Sequence, residues 1–262
     1  RGEGMARAGA RNGIEADGDR VHSVLTAFQL LEHLGSAGGE LGLSQLAAES
    51  GVPTATIHRM LQTLAWFGYV RQEPVTKVYT LGPELIHLGG AAGRQLGAWA
   101  RPELDRLVRE TGETATLAVL DGAEIVYIAQ VPSPHTLRML AQLGRRVPAQ
   151  CTAAGKVLLS LLTDARVREI VDAHPLRALT RRSLVDPDAL VAHLGTVRAQ
   201  GYAVEDGEQE VGVRAFAMPV DYAGRPMAVT VSGPESRVSL VDIVRHLPLM
   251  EDVATSVARG PA

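Results

Sequence analysis

Three apolar stripes at helical spacing are followed, between Val21 and Leu81, by two short alternating runs, and few small folds accommodate that order. Val21, Val24, Phe28, Leu31 and Leu34 recur at helical spacing, and Gly35 with the Gly38-Gly39 pair is expected to stop this first helix. Ser44 offers an N-cap to a short second helix carrying Leu46 and Ala47, which Gly51 can end in the left-handed conformation. Val52-Pro53 makes a tight corner. Pro53 suits the first turn of a third helix, in which Ile57, Met60, Leu61 and Leu64 form one stripe before Gly68 ends it. Tyr69-Val70-Arg71 and Val78-Tyr79-Thr80-Leu81, separated by a turn containing Pro74, then form a β-hairpin pattern. Helix, helix, corner, helix and hairpin is the outline of a winged helix-turn-helix over residues 21–82.

Residues 83–99 keep Leu85, Leu88, Ala92 and Leu96 at helical spacing and are expected to form a linker helix, after which Pro102 suits the start of another. The β-rich runs 114–120 and 124–130 are joined by Asp121-Gly122, a strong hairpin signal. Helices are expected at 153–162 and after Asp186-Pro187, strands near 202–205, 214–220 and 227–233, and a last helix to Ala258. Strands in hairpins with helices interspersed make residues 100–259 an α+β domain on an antiparallel sheet. Residues 1–20 alternate charge with Gly and Ala without a period, the pattern of a flexible tail.

With 262 residues, 46% of them apolar and 21% charged, the chain has the composition of an ordinary globular protein, and a net charge of −3 argues against wholesale coating of nucleic acid. Residues 21–90 set Arg59, Arg71 and Lys77 against Glu32, Glu40, Glu49, Glu73 and Glu84, so one such unit should bind phosphate weakly. Cys151 is the single cysteine, which excludes an internal disulfide and a cysteine-based zinc cluster and fits a reducing cytosol. No apolar run approaches a membrane span, the eight histidines form no metal-binding pair pattern, and no Gly-rich phosphate loop occurs. Neither a metal, a cofactor nor a catalytic constellation is expected.

The segments Leu43-Ser44-Gln45-Leu46-Ala47, Thr56-Ile57-His58-Arg59-Met60-Leu61, Gly68-Tyr69-Val70 and Tyr79-Thr80-Leu81-Gly82 resemble the DNA-binding half of the IclR family of bacterial transcription regulators. Gly144-Arg145-Arg146-Val147-Pro148, Thr152-Ala153-Ala154-Gly155-Lys156, Gly201-Tyr202-Ala203, Glu208, Gly212-Val213, Pro219-Val220 and Val231-Ser232-Gly233-Pro234 resemble that family's effector-binding domain. The resemblance runs in order over residues 21–259. It implies a GAF-like sensor domain and a ligand-responsive, sequence-specific regulator, such as a repressor. The partners implied are double-stranded operator DNA, a small organic or aromatic acid as effector, and further copies of the chain in a homodimer or homotetramer paired through the linker helix.

Winding the third helix at about 100° per residue with Ile57, Leu61 and Leu64 inward leaves Ala55, Arg59, Gln62 and Trp66 opposite, flanked by His58 and Thr63. Arginine can bond a guanine edge bidentately and glutamine an adenine edge, so Arg59 and Gln62 are the base-reading candidates. Ser44, Thr54 and Thr56 complete the set assigned to DNA, and Arg71 and Lys77 flank the wing tip as phosphate or minor-groove contacts. Trp66 is expected to pack on a neighbouring helix or subunit rather than on DNA.

Thr152 is placed to cap the helix that follows, whose small first residues leave backbone amides open to an anion. Gly155 would tolerate close approach of such a ligand. Followed residue by residue, the resemblance assigns Met139, Val147, Ala153, Ala154, Glu205, Val213, Ala215, Thr230 and Ser232 to the effector pocket. Two of these depart from the family pattern, Ala215 where many relatives have Cys and Glu205 where they have Asp. Glu205 would repel a carboxylate unless it is protonated or bonded to a ligand hydroxyl. The rival reading is a redox sensor or enzyme built on Cys151, whose place beside a helix start can lower a thiol pKa.

Overall fold

The computed structural model describes residues 21–36, 40–96 and 98–260 and divides the chain into two compact units between Ala92 and Gly93. The expected tail at 1–20 and the Gly38-Gly39 stop lie outside the described residues.

In the first unit, α1 (His22–Ser36), α2 (Leu43–Ser50) and α3 (Thr54–Trp66) precede an antiparallel hairpin of β1 (Val70–Gln72) and β2 (Tyr79–Leu81). Leu30, Leu34, Leu41, Leu46, Ile57, Leu61, Val70 and Tyr79 make one core. The inward face of α1 differs from the expected stripe. Thr26, Leu30 and Leu34 are buried, whereas Val21, Val24 and Phe28 are 64%, 51% and 62% exposed. Both sets satisfy a 3.6-residue period, and only the leucine face meets the core of the other helices. Ser44 is also displaced from its expected role: α2 begins at Leu43, Gly42 flanks it, and the Gly42 amide donates to Gln45 Oε1 at 2.9 Å. Ser44 therefore stands exposed inside the first turn. Gly51 closes α2 with φ 67°, the left-handed conformation that glycine adopts without steric cost. Pro53 precedes α3, and its carbonyl accepts the amides of Thr56 and Ile57.

The division between units falls inside α4 (Glu84–Leu96), on which Ile86 and Leu88 are exposed. The second unit opens with α5 (Arg101–Thr111) and continues through β3 (Thr114–Asp121), β4 (Glu124–Val131), β5 (Arg146–Pro148), α6 (Ala153–Ser160), α7 (Asp164–Ala173), α8 (Pro187–Gln200), β6 (Ala203–Asp206), β7 (Val213–Tyr222), β8 (Arg225–Pro234) and α9 (Leu240–Arg259). Its six strands form one antiparallel sheet in the order β5-β4-β3-β8-β7-β6. Because side chains alternate, one face buries Leu117, Phe216, Val229 and Val231 against α5 and α9. The other face is paved with Ala118, Ala203, Ala215, Ala217 and Ala228 and packs against α6, on which α8 and then α7 pack in the same core. Small side chains there let α6 lie close to the sheet and leave space beyond its first turn. Two elements go beyond the sequence reading: β5, too short to show a period, and α7, capped by the Thr163 hydroxyl on the Arg166 amide. Among the described residues no helix is long and apolar enough to cross a membrane.

Candidate DNA-reading surface and ligand pocket

On α3, Ile57 and Leu61 are buried and Met60 and Leu64 partly so, which turns Thr54, Ala55, Thr56, Arg59, Gln62 and Thr63 to the exterior, with His58 half-buried at the flank. Arg59, Gln62, Thr63, Thr56, Met60 and Trp66, with Ser23 of α1, line an open groove of about 630 Å³. Trp66 is 80% exposed and meets only the neighbouring Phe67 ring edge-on at 4.6 Å, so among the described residues no adjacent helix covers it as expected. Arg71 and Lys77 lie exposed on the hairpin, and Lys77 adopts φ 58° at its tip, where its carbonyl accepts from Gln72 Nε2. Arg59, Arg71 and Lys77 form no ion pair among the described residues, leaving three guanidinium or ammonium groups uncommitted.

In the second unit a cavity of about 40 Å³ lies between the alanine-paved face and the start of α6. All six strands contribute: Thr116 from β3, Tyr127 from β4, Val147 from β5, Glu205 from β6, Val213 and Ala215 from β7, and Thr230 and Ser232 from β8. Thr152, Ala153 and Ala154 close it from the α6 side, and Met139, Leu140, Ala141, Gln142 and Arg145 from the segment between β4 and β5. Gln209 completes the wall. The space holds about two or three waters, so a larger ligand must displace wall residues as well as water. Nine of the ten residues assigned to the pocket from sequence meet around this space.

Gly155 is the exception, and the reason is packing. A side chain there would place its first carbon 2.1 Å from the Ala149 carbonyl oxygen, so the close approach that the glycine permits is to the chain's own backbone. Its amide is already committed to Thr152 Oγ1 at 2.9 Å. Thr152 is thus the N-cap expected, and the amides of Ala153 and Ala154, in the first turn, have no acceptor within the helix. Thr116, Tyr127, Arg145, Gln142 and Gln209 are pocket residues that the sequence reading missed; the alternation of Thr114 and Thr116 along a strand was the available signal for the first.

Glu205 is 1% exposed, and its Oε1 accepts the amides of Glu208 and Gln209 at 2.9 and 3.1 Å. Burial, reinforced by the Glu208 carboxylate, pushes its pKa up to about 7 against the opposing pull of those amides and of Lys156. The Tyr127 hydroxyl is pushed up to about 12, chiefly by burial and then by Glu205, with Arg145 acting the other way. Lys156 is fully buried, its Nζ donating to Glu208 Oε1 at 2.5 Å and the Val204 carbonyl at 2.6 Å. This pair fastens the turn after β6 to α6. Cys151 does not fit the rival reading of a reactive thiol: it is 0% exposed, its Sγ lies 3.6 Å from the Arg177 carbonyl, and burial pushes its pKa up. A thiol held protonated and away from solvent is a poor nucleophile. Among the described residues, no three His, Cys, Asp or Glu side chains gather to hold a metal.

Comparison with known proteins matches both halves separately. The model of the IclR helix-turn-helix domain covers residues 23–74, and that of the bacterial transcriptional regulator IclR C-terminal covers residues 91–259. The HTH-type transcriptional regulator KdgR of Escherichia coli K12 is 33% identical over 94% of this chain and 94% of its own, and the transcriptional repressor IclR of the same organism is 34% identical over 84% and 82%. The crystal structure of a putative transcriptional regulator from Rhodococcus sp. RHA1 superposes with a TM-score of 0.75 at 31% identity, over 92% of this chain and 98% of that one. With a helix-turn-helix in its first unit and the sensor-type sheet in its second, each matched by its own family model, the chain belongs to the IclR family of bacterial transcriptional regulators and is a DNA-binding transcription regulator.

Proposed function

We propose that the chain reads a double-stranded operator through α3 and responds to a small organic acid held in the second-unit cavity. Arg59 and Gln62 read base edges, with Ala55 and His58 beside them, while Ser44, Thr54, Thr56, Arg71 and Lys77 hold the backbone. The acid sits at the start of α6, its carboxylate facing the amides of Ala153 and Ala154, against the walls formed by Met139, Val147, Val213, Ala215, Thr230 and Ser232. In this reading residues 21–82 bind DNA, 83–99 link, 100–259 sense, and no residue carries out catalysis. The regulator works on DNA in the cytosol as a homodimer or homotetramer. The convergence of all six strands and the α6 start on one enclosed space carries the reading, because a sheet packed only for stability would fill it.

Operator binding tests it. Arg59→Ala should cost about 1 to 3 kcal/mol on the specific site and relax one base position across an operator library, and an unchanged profile removes Arg59 from base reading. An acid that shifts operator affinity of the parent should have no effect on Ala154→Trp, whose side chain fills the cavity. A response that survives this change places the sensor elsewhere.

A further inference from the structure

The floor of the cavity carries two hydroxyls for which the protein itself has no use. Thr116 on β3 and Thr230 on β8 stand directly opposite each other in the β3–β8 ladder, so their side chains share the pocket face. They are 2% and 4% exposed, and neither Oγ1 has a hydrogen-bond partner. A buried hydroxyl left unpaired is penalised for its lost hydration, and valine would fill the same volume without that penalty. On β6, two strands beyond β8 in the same sheet, Glu205 lines the same cavity; it spends one carboxyl oxygen on two amides, and its second oxygen makes no hydrogen bond among the described residues. Acceptors and donors for hydroxyl groups are therefore gathered at the sheet floor. The anion-binding features lie elsewhere on the wall: the first-turn amides of α6 and the guanidinium of Arg145, which forms no ion pair among the described residues.

We infer that the ligand is a hydroxylated carboxylic acid, its carboxylate at the α6 start and Arg145 and its hydroxyls bonded to Thr116, Thr230 and Glu205. This rests on the acid-sensing reading above and narrows it. An unsubstituted aliphatic or aromatic acid leaves the two threonine hydroxyls unpaired, and a site built to bond a hydroxyl discriminates strongly against the analogue that lacks it.

Calorimetry on the full chain with matched acids tests the inference: glycerate against propionate, and gluconate against hexanoate, each pair differing in hydroxyl content. In at least one pair the hydroxylated acid should bind about tenfold tighter or better. Thr116→Val and Thr230→Val should each weaken that acid by about five- to tenfold and leave its deoxy partner within about twofold. Without ligand, both variants should melt at or above the parent temperature, since each removes an unpaired buried hydroxyl. A fall in melting temperature would mean that the hydroxyl already has a partner in the protein, and this overturns the inference. Deoxy acids binding as tightly as their hydroxylated partners also overturn it and leave the acid-sensing reading standing. Glycerol and sorbitol binding as well as the acids would do the opposite, removing the carboxylate requirement. Binding of neither acid in either pair overturns both.

Discussion

Glu205 sits in the cavity wall with two backbone amides on one oxygen, and burial still prevails over them, holding its pKa near 7 against an ordinary 4.5. The consequence for stability has a definite sign. Below the ordinary value both folded and unfolded chains carry the proton. As pH rises toward 7 the unfolded chain loses it first, so the folded state is progressively disfavoured until the folded group also ionises. The full deficit above that point is about 3 kcal/mol. Glu205→Gln keeps an oxygen for the two amides and removes the titration. It should match the parent near about pH 4 and exceed it by up to about 3 kcal/mol near about pH 8 in urea unfolding. Parallel pH profiles would mean that Glu205 titrates as an exposed glutamate. The same group governs an anionic ligand: carboxylate affinity should fall as pH rises through about 7 in the parent and stay flat in the variant.

At the scale of the element, α6 combines three tasks in its first turn. Thr152 caps it, Ala153 and Ala154 line the cavity, and Gly155 seats it on the backbone of the turn Ala149–Cys151. Three tasks in one turn make the position of the helix matter more than any contact that Gly155 makes with a ligand. Gly155→Ala would push a methyl against the Ala149 carbonyl and Cα, neither of which can yield without moving the turn. It should destabilise the second unit by about 1 to 3 kcal/mol and abolish the acid response, although Gly155 lies outside the cavity wall. Calorimetric melting together with acid titration reads both effects. A stable, fully responsive Gly155→Ala would show that α6 has room to shift. On α3 the inward stripe of Ile57 and Leu61 presents Arg59 and Gln62 outward without help from any other element.

For the whole molecule, charge and exposed apolar surface bear on assembly. Three cations against five glutamates in residues 21–90 give one DNA-binding unit little electrostatic hold on phosphate, which favours the proposed binding of several units to one operator. Val21, just before α1, and Val24 and Phe28 on it are more than half exposed, as a surface awaiting another copy would be. Sedimentation velocity should therefore read a dimer or tetramer of the full chain, both free and on a two-fold symmetric operator. A monomer in both states would overturn the oligomer.

The sequence by itself determined the order and type of the elements other than β5 and α7, the outward arc of α3 and the cap at Thr152. These depend on periodicity and on backbone groups a few residues apart, which local geometry fixes. It also carried the family resemblance that placed nine residues of the cavity wall. Only the tertiary structure decided which of two equally periodic faces of α1 is buried, that Cys151 is sealed and protonated, that Gly155 meets backbone rather than ligand, and that Thr116 and Thr230 face each other unpaired. Each of these depends on which distant segments come to share a surface. Burial and pairing are sums over such neighbours, and a residue's own place in the chain does not contain them.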